Sequence, residues 1–318
     1  MAGIPRFVPA SDYAETFDLE WRMYGRVQVD SLAGNTISRD RFEATTGWGP
    51  GSMPEKLILD AGCGGGRFSE IALLTGATVV GFDLISCVDL ARENLRMRHG
   101  VLHLAQASVT SMPFQSVFDG VFCMGVLAHT PDPIETLRCL CDVLKPGGEL
   151  AVDVYELPEG RRRRIASLDP QHWRWRSLLG ILPHRLLLRF VRLYVGCLLS
   201  LDNKVVARIQ RGGAVGRLLS LARRCVPVIS NYSLKFPFLT QDQQRLWAEM
   251  NTFDGYSPKF TKRQTRATMR AWAAELGLED IQVFDKPGCG DGTPLVLRGR
   301  KPAAGGTAEV ATRGEVAT

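Results

Sequence analysis

Between Lys56 and Tyr155 the chain alternates short apolar runs with segments of helical period, a rhythm that few architectures accept. The runs KLILDA, TVVGFD, VLHLAQA, FDGVFCMG and ELAVDVY read as buried strands. RFSEIALLTG, SCVDLARENLRMRH and DPIETLRCLCDVL read as the helices among them. Ser86 is a candidate N-cap for the second helix; Pro133 sits in the first turn of the third, which KPGG stops. Strands separated by single helices predict an α/β fold with a doubly wound, mostly parallel sheet. After Tyr155 the rhythm is lost for about eighty-five residues, then returns with KRQTRATMRAWAAELG, IQVFD and PLVLRGRK. The expectation is therefore a seven-stranded sheet with a helical insertion after the fifth strand.

The corresponding partition is 1–54 as an N-terminal helical cap, 55–155 as a ligand-binding core, 156–240 as a helical insert, 241–302 as completion of the sheet, and 303–318 as a disordered tail. At 318 residues the chain is long enough for such a core and an added substructure. The eight cysteines have no CxxC spacing and the N-terminus has no apolar signal core, so reduced thiols and a cytoplasmic location are expected. The longest uncharged apolar run, Leu193 to Leu201, is too short to span a bilayer. Net charge is +6, yet 156–240 alone holds sixteen Lys/Arg against four Asp/Glu, which marks it as a segment with its own task.

The first strand runs into LDAGCGGGRF. A glycine loop there lets backbone approach a ligand at the mouth of the sheet. It could cradle a dinucleotide, a nucleoside without phosphates, or form only a turn. The dinucleotide pattern G-x-G-x-x-G fails: its sixth position is Arg67 counted from Gly62 and Ser69 counted from Gly64. What stands here is Asp60, Gly62, Gly64, Gly66. A carboxylate at Asp60 repels a pyrophosphate and attracts a sulfonium and an ammonium. Asp83, ending the second strand, can accept both hydroxyls of a ribose, which suits either cofactor.

LILDAGCGGGRFSEIA…VVGFD resembles the cofactor motif of class I S-adenosylmethionine-dependent methyltransferases, and SMPFQSVFDGVFCMGVLAHTPDP and VLKPGGEL are similar to that family's later segments. The resemblance covers roughly Lys56–Tyr155. The end NTFDGYSPKFTKRQTRATMRAWAAELGLEDIQV looks, less specifically, like the type-11-like group of bacterial small-molecule and glycan-pathway enzymes. It implies a Rossmann-like core with S-adenosyl-L-methionine as cofactor and a small-molecule, sugar or lipid-linked acceptor methylated on oxygen. It further implies that Asp60 and Gly62 surround the methionine part, that Gly64 and Gly66 belong to the same cofactor-binding loop, that Asp83 takes the ribose with Leu84 beside the adenine, and that Met124 and Gly125 line the methionine side. Where the family commonly has an aspartate near the adenine amino group, this chain offers Ser108, a weaker acceptor.

Methyl transfer depends mostly on placing the nucleophile, with a base needed when the acceptor is a hydroxyl. His129, just after the fourth strand, is the candidate base; Asp153 and Tyr155, ending the fifth, are further catalytic candidates. Asp254 and Tyr256 in FDGYSP, and Trp21 and Tyr24 near the N-terminus, are candidate lid residues. No metal site is expected, because His99 and His103 are separated by a helix-ending glycine. Two readings from other classes stay open: a nicotinamide-dependent oxidoreductase and a non-catalytic cofactor-binding module.

In the insert, Arg185, Arg189 and Arg192 form one stripe and Arg217, Ser220 and Arg224 another, each amid leucines. Such helices either bury their apolar faces on the sheet or on each other, or lie on an anionic membrane surface at the inner face of the cell membrane. The Arg161–Arg164 run adds attraction for phosphates. Nucleic acid is a disfavoured partner: no Asn-Pro-Pro-aromatic motif follows the fourth strand and no Pro-Cys dipeptide occurs. Oligomeric state is not legible.

Overall fold

The computed structural model describes residues 3–8, 15–157, 170–223, 225–227, 229–230, 236–285 and 294–303. The Arg161–Arg164 run, Arg224 and the tail beyond 303 lie outside the described residues. The sheet has seven strands: β1 (Leu57–Ala61), β2 (Thr78–Asp83), β3 (Leu102–Gln106), β4 (Phe118–Cys123), β5 (Leu144–Tyr155), β6 (Glu279–Asp285) and β7 (Pro294–Arg300). Their order is β3-β2-β1-β4-β5-β7-β6. β1 to β5 are parallel, and β7 runs antiparallel to both β5 and β6. The fold is therefore Rossmann-like and mostly parallel.

Its chain order reverses between β1 and β4, so the loops leaving those two strands part and open a crevice at their C-terminal ends. β1 is central and pairs on both sides, Asp60 opposite Gly81 and Phe122. Ile58, Leu59, Val121 and Phe122 are completely buried, which explains why these strands read as unbroken apolar runs rather than alternating ones.

The helices are α1 (Glu15–Tyr24), α2 (Asp30–Ala33), α3 (Ile37–Thr46), α4 (Ser69–Leu74), α5 (Val88–Leu95), α6 (Pro133–Asp142), α7 (Pro170–Leu179), α8 (His184–Gln210), α9 (Gly213–Arg223), α10 (Gln241–Tyr256) and α11 (Arg266–Glu275). Local chemistry accounts for several of their ends. Asp132 caps α6 by accepting from Glu135 N, with Pro133 supplying a first-turn residue that needs no partner. Thr240 and Gln243 form a reciprocal capping box on α10.

Two local expectations are corrected. Ser86 does not cap α5: the helix starts at Val88, and the Ser86 hydroxyl instead donates to Asp18 Oδ1 at 2.8 Å and accepts from Arg22. KPGG does not stop α6, which already ends at Asp142; those residues belong to the start of β5, where the register shifts against β4.

The insert builds a second core rather than covering the sheet. α8 turns Leu187, Leu188, Val191 and Val195 inward against Trp247, Phe253 and Tyr256 of α10 and Tyr24 of α1. At its centre the buried carboxylate of Glu249 accepts from Tyr24 at 3.1 Å and from Arg245 at 2.8 Å, with Arg192 at 3.7 Å, so one arginine of the α8 stripe has a partner. Phe190, Tyr194, Leu198 and Leu199 pack against the same core half-buried, whereas Leu186, Leu193 and Leu201 face solvent, as do Val215, Leu218 and Leu221 of α9. Among the described residues no helix is long and apolar enough to cross a membrane.

Candidate active site

The glycine loop leaves β1 through three left-handed positions, Gly62, Gly64 and Gly66, with φ of +84°, +54° and +88°. Space excludes side chains there as firmly as the dihedrals do. A Cβ on Gly62 would meet Val126, one on Gly64 the indole of Trp21, and one on Gly66 Leu95.

The loop is tied to the end of β2: Gly64 N donates to Asp83 Oδ2 at 2.9 Å, and Ile85 N to Asp83 Oδ1 at 3.2 Å. Burial pushes the Asp83 carboxyl above its ordinary value, and these backbone donors pull it back. Asp60 lies beneath the loop, 2% exposed, and accepts from Ser69 Oγ at 2.6 Å. Burial raises it to about 7 against that hydrogen bond, and the charge of Asp83 adds to the rise.

A cavity of about 120 Å³ opens beside the loop. Phe82, Leu84, Ile85, Ala107 and Val109 make an apolar slot, and Gly62, Met124 and Gly125 form the wall toward β4. Ser108 takes no place in that lining. Its hydroxyl pairs with Thr110 Oγ1 at 3.0 Å in a local turn, while its neighbours Ala107 and Val109 face the slot.

His129 stands at the outer edge of the cavity, in a short 3₁₀ turn (Leu127–His129) after β4. Its Nδ1 lies 2.9 Å from the carbonyl oxygen of Phe260. A carbonyl can only accept, so Nδ1 carries the proton and the lone pair of the neutral ring is on Nε2. Phe17 and Tyr155 hold the ring edge-on, with centroids 5.1 and 5.8 Å away.

Asp153 is 2% exposed and has both oxygens engaged: Gly125 N donates to one at 2.6 Å and Arg41 Nη2 to the other at 2.6 Å. It positions the Gly125 turn and does not line the cavity. Two further carboxyls act here, the half-buried Asp254 and the buried Glu20. Asp254 is raised by burial and drawn down by His129, Arg176 and Arg41; Glu20 is raised well above its ordinary value by burial, with Asp254 adding to it. Of the four expected lid residues, Trp21 covers the glycine loop and Asp254 lies near the base. Tyr24 turns into the helical core, and Tyr256 lines a different cavity.

Sequence reasoning missed Phe17, Glu20, Arg41 and Phe260. They sit in segments without motif character, and chain tracing alone brings them to the crevice.

The family model described as "Methyltransferase domain" matches residues 59–152, the stretch that carries the glycine loop, Asp83 and His129. Over those residues the chain is similar to a methyltransferase domain. Among curated proteins, a ubiquinone biosynthesis O-methyltransferase of Pseudomonas putida is 38% identical over 104 residues, which are 31% of this chain and 44% of that protein. A protein of the same name from Bordetella bronchiseptica is 35% identical over 107 residues, 31% of this chain and 42% of the relative. The chain thus spans under half the length of the curated relatives it matches. Among solved structures, human N-acetylserotonin methyltransferase in complex with S-adenosylmethionine covers 93% of this chain and 61% of its own, at 15% identity and a TM-score of 0.48.

The residues around this cavity fit S-adenosylmethionine. Asp83, beside a loop open only to glycine, offers acceptors for a ribose diol; the slot of Phe82, Leu84 and Val109 suits a flat base; Gly62, Met124 and Gly125 leave room for a slim amino-acid chain. Asp60, beneath the loop, does not line the cavity; it ties the loop's helix to β1 by accepting from Ser69. Among the described residues no group of His, Cys, Asp and Glu has metal-binding spacing.

Proposed function

We propose that the chain is an S-adenosylmethionine-dependent O-methyltransferase acting on a small or lipid-linked acceptor, with His129 as general base. The observation that carries it is the His129–Phe260 hydrogen bond, which leaves the basic nitrogen of a buried imidazole at the edge of the cofactor cavity. S-adenosylmethionine supplies an electrophilic methyl group on a sulfonium. The chain's own residues then have three tasks: Asp83 and the glycine loop hold the nucleoside, Phe17 and Tyr155 orient the imidazole, and Nε2 takes the hydroxyl proton of the acceptor. Asp254 stabilises the resulting imidazolium by charge. The name of the matched relatives, O-methyltransferases of ubiquinone biosynthesis, supports a hydroxyl acceptor.

The test incubates the purified chain with methyl-labelled S-adenosylmethionine and extracts, followed by separation into organic, aqueous, protein and nucleic-acid fractions, with Gly64→Arg as control. Enzyme-dependent label in the organic or aqueous fraction supports the reading. Label in protein or nucleic acid overturns the acceptor class, and binding of NAD(H) without S-adenosylhomocysteine overturns the cofactor.

A second element concerns location: a cytoplasmic protein resting on the inner membrane face. Leu193 is 70% exposed on α8 and Leu218 67% exposed on α9, with Arg185, Arg189 and Arg217 exposed around them. Apolar side chains interspersed with cations and few acids complement an anionic bilayer surface.

A further inference from the structure

α1 carries two stripes of side chains. Phe17 and Trp21 face the cofactor cavity, Phe17 edge-on to His129 and Trp21 over Gly64. Thr16, Glu20 and Tyr24, four residues apart, turn instead toward α10, and each is 8% exposed or less. The two helices run antiparallel: Tyr24 bonds Glu249, while Thr16 and Ser257 line one cavity at the other end. Glu20, midway between Thr16 and Tyr24, therefore falls opposite Phe253 and Asp254.

That contact is poorly satisfied. Thr16 Oγ1, Glu20 Oε2 and Ser257 Oγ are buried with no hydrogen-bond partner, and unpaired buried polar groups weaken the packing that encloses them. Burial pushes the Glu20 carboxyl well above the ordinary range; Asp254 of α10 adds to the rise and Arg67, at the end of the glycine loop, opposes it. Asp254 is itself raised by burial, against the pull of His129, Arg176 and Arg41. On α1, Tyr24 feels the charge of Glu20 and is tied to Glu249. A carboxyl so placed, with an acid facing it, keeps its proton rather than its charge.

The same helix has to move for the cofactor. The cavity under Trp21 measures about 120 Å³, against the roughly 300 Å³ or more of a small-molecule site. Lifting α1 brings Glu20 into water, where a glutamate titrates at about 4.3. We infer that Glu20 is a positioning residue: with its proton it lets α1 close on α10 and seat Phe17 against His129, and on losing the proton it drives α1 off the site. The inference rests on the methyltransferase reading for what α1 covers, but not for the coupling of proton and helix. Its sign follows from linkage. The closed form holds a proton that the open form releases, so the preference for closure falls as pH rises above the ordinary glutamate range. It levels off once the closed form ionises as well. Removing the acid that faces Glu20 eases its ionisation in the closed form and shrinks the pH dependence.

The experiment reads the tryptophan emission of the full chain from pH 5 to pH 9 without cofactor, with Trp21→Phe isolating the contribution of Trp21. The expected result is a closed-to-open ratio that falls tenfold or more across the range in the wild type. It should change less than twofold in Glu20→Gln, and by an intermediate amount in Asp254→Asn. Thermal melting shows that each variant folds; where Glu20→Gln does not, Asp254→Asn decides. A flat wild-type profile, or a wild-type profile reproduced by the folded variants, overturns the inference. S-adenosylhomocysteine binding is measured in parallel. If the wild type does not bind it, the methyltransferase reading fails, while the Trp21 profile still decides whether proton and helix are coupled.

Discussion

The indole of Trp21 lies on the backbone of Gly64, so close that a Cβ at that glycine would overlap its six-membered ring. Trp21 and Phe17, one turn apart on α1, thus wall the cofactor cavity, which measures about 120 Å³ in this conformation. That is smaller than a site for a nucleoside-sized ligand, which takes about 300 Å³ or more. α1 must therefore shift, or the indole must turn out, when S-adenosylhomocysteine binds. The expected outcome is a change in tryptophan fluorescence on binding that Trp21→Phe abolishes while binding persists. An unchanged signal in Trp21→Phe would place the response at another tryptophan.

Gly64→Ala meets two obstacles, a positive φ of +54° and the indole. The dihedral alone costs about 1–2 kcal/mol. Stability should fall by that order, and cofactor affinity by far more, because the loop must distort against the ligand. Calorimetric titration with S-adenosylhomocysteine checks both the affinity and the folded fraction.

Asp60 gives a pH signature. It is held at about 7 in the folded chain, against about 3.9 for an unfolded aspartate. Between those values the folded state keeps a proton that the unfolded state has released, so its contribution to stability falls as pH rises through the window. Below about 4 both states are protonated, and stability no longer changes with pH through this group. Asp60→Asn removes the ionisation and keeps an acceptor for Ser69. Its stability relative to wild type should therefore climb from pH 4 to pH 7 and level off above. Parallel urea-denaturation curves across that range would reject the assignment.

His129→Ala removes the base and leaves Asp83 and the glycine loop untouched. The expected loss in kcat is about 10²–10⁴-fold, with S-adenosylhomocysteine affinity nearly unchanged. Equal losses in affinity and turnover would assign the ring to cofactor binding instead.

Asp153→Ala leaves Arg41 without its carboxylate and Gly125 N without its acceptor, in a place only 2% exposed. Breaking such a pair costs about 3–5 kcal/mol, read as a lower denaturation midpoint. Leu193→Asp on the exposed face of α8 should change stability by only about 0.5 kcal/mol. It should still weaken sedimentation with anionic vesicles; wild-type cosedimentation would remove α8 from the membrane reading.

Much of this molecule is a local matter. The alternation from Lys56 to Tyr155 dictates strands buried on both faces and helices between them, because backbone period and burial are set over a few residues. The glycines at 62, 64 and 66 announce positive φ, and Asp83 announces itself by ending a strand beside them. What no window of sequence contains is which distant residues come to meet these. The proton of His129 is fixed by a carbonyl 131 residues away, and Asp153 is locked by an arginine 112 residues before it. Ser86 looked like a cap, and the distant Asp18 and Arg22 drew it into other hydrogen bonds; Ser108 looked like a ligand and pairs with Thr110 in its own turn. The leucines of α8 look alike in sequence, yet only those facing α10 are buried; composition sets how many apolar side chains a helix has, and the partner helix decides which of them leave water.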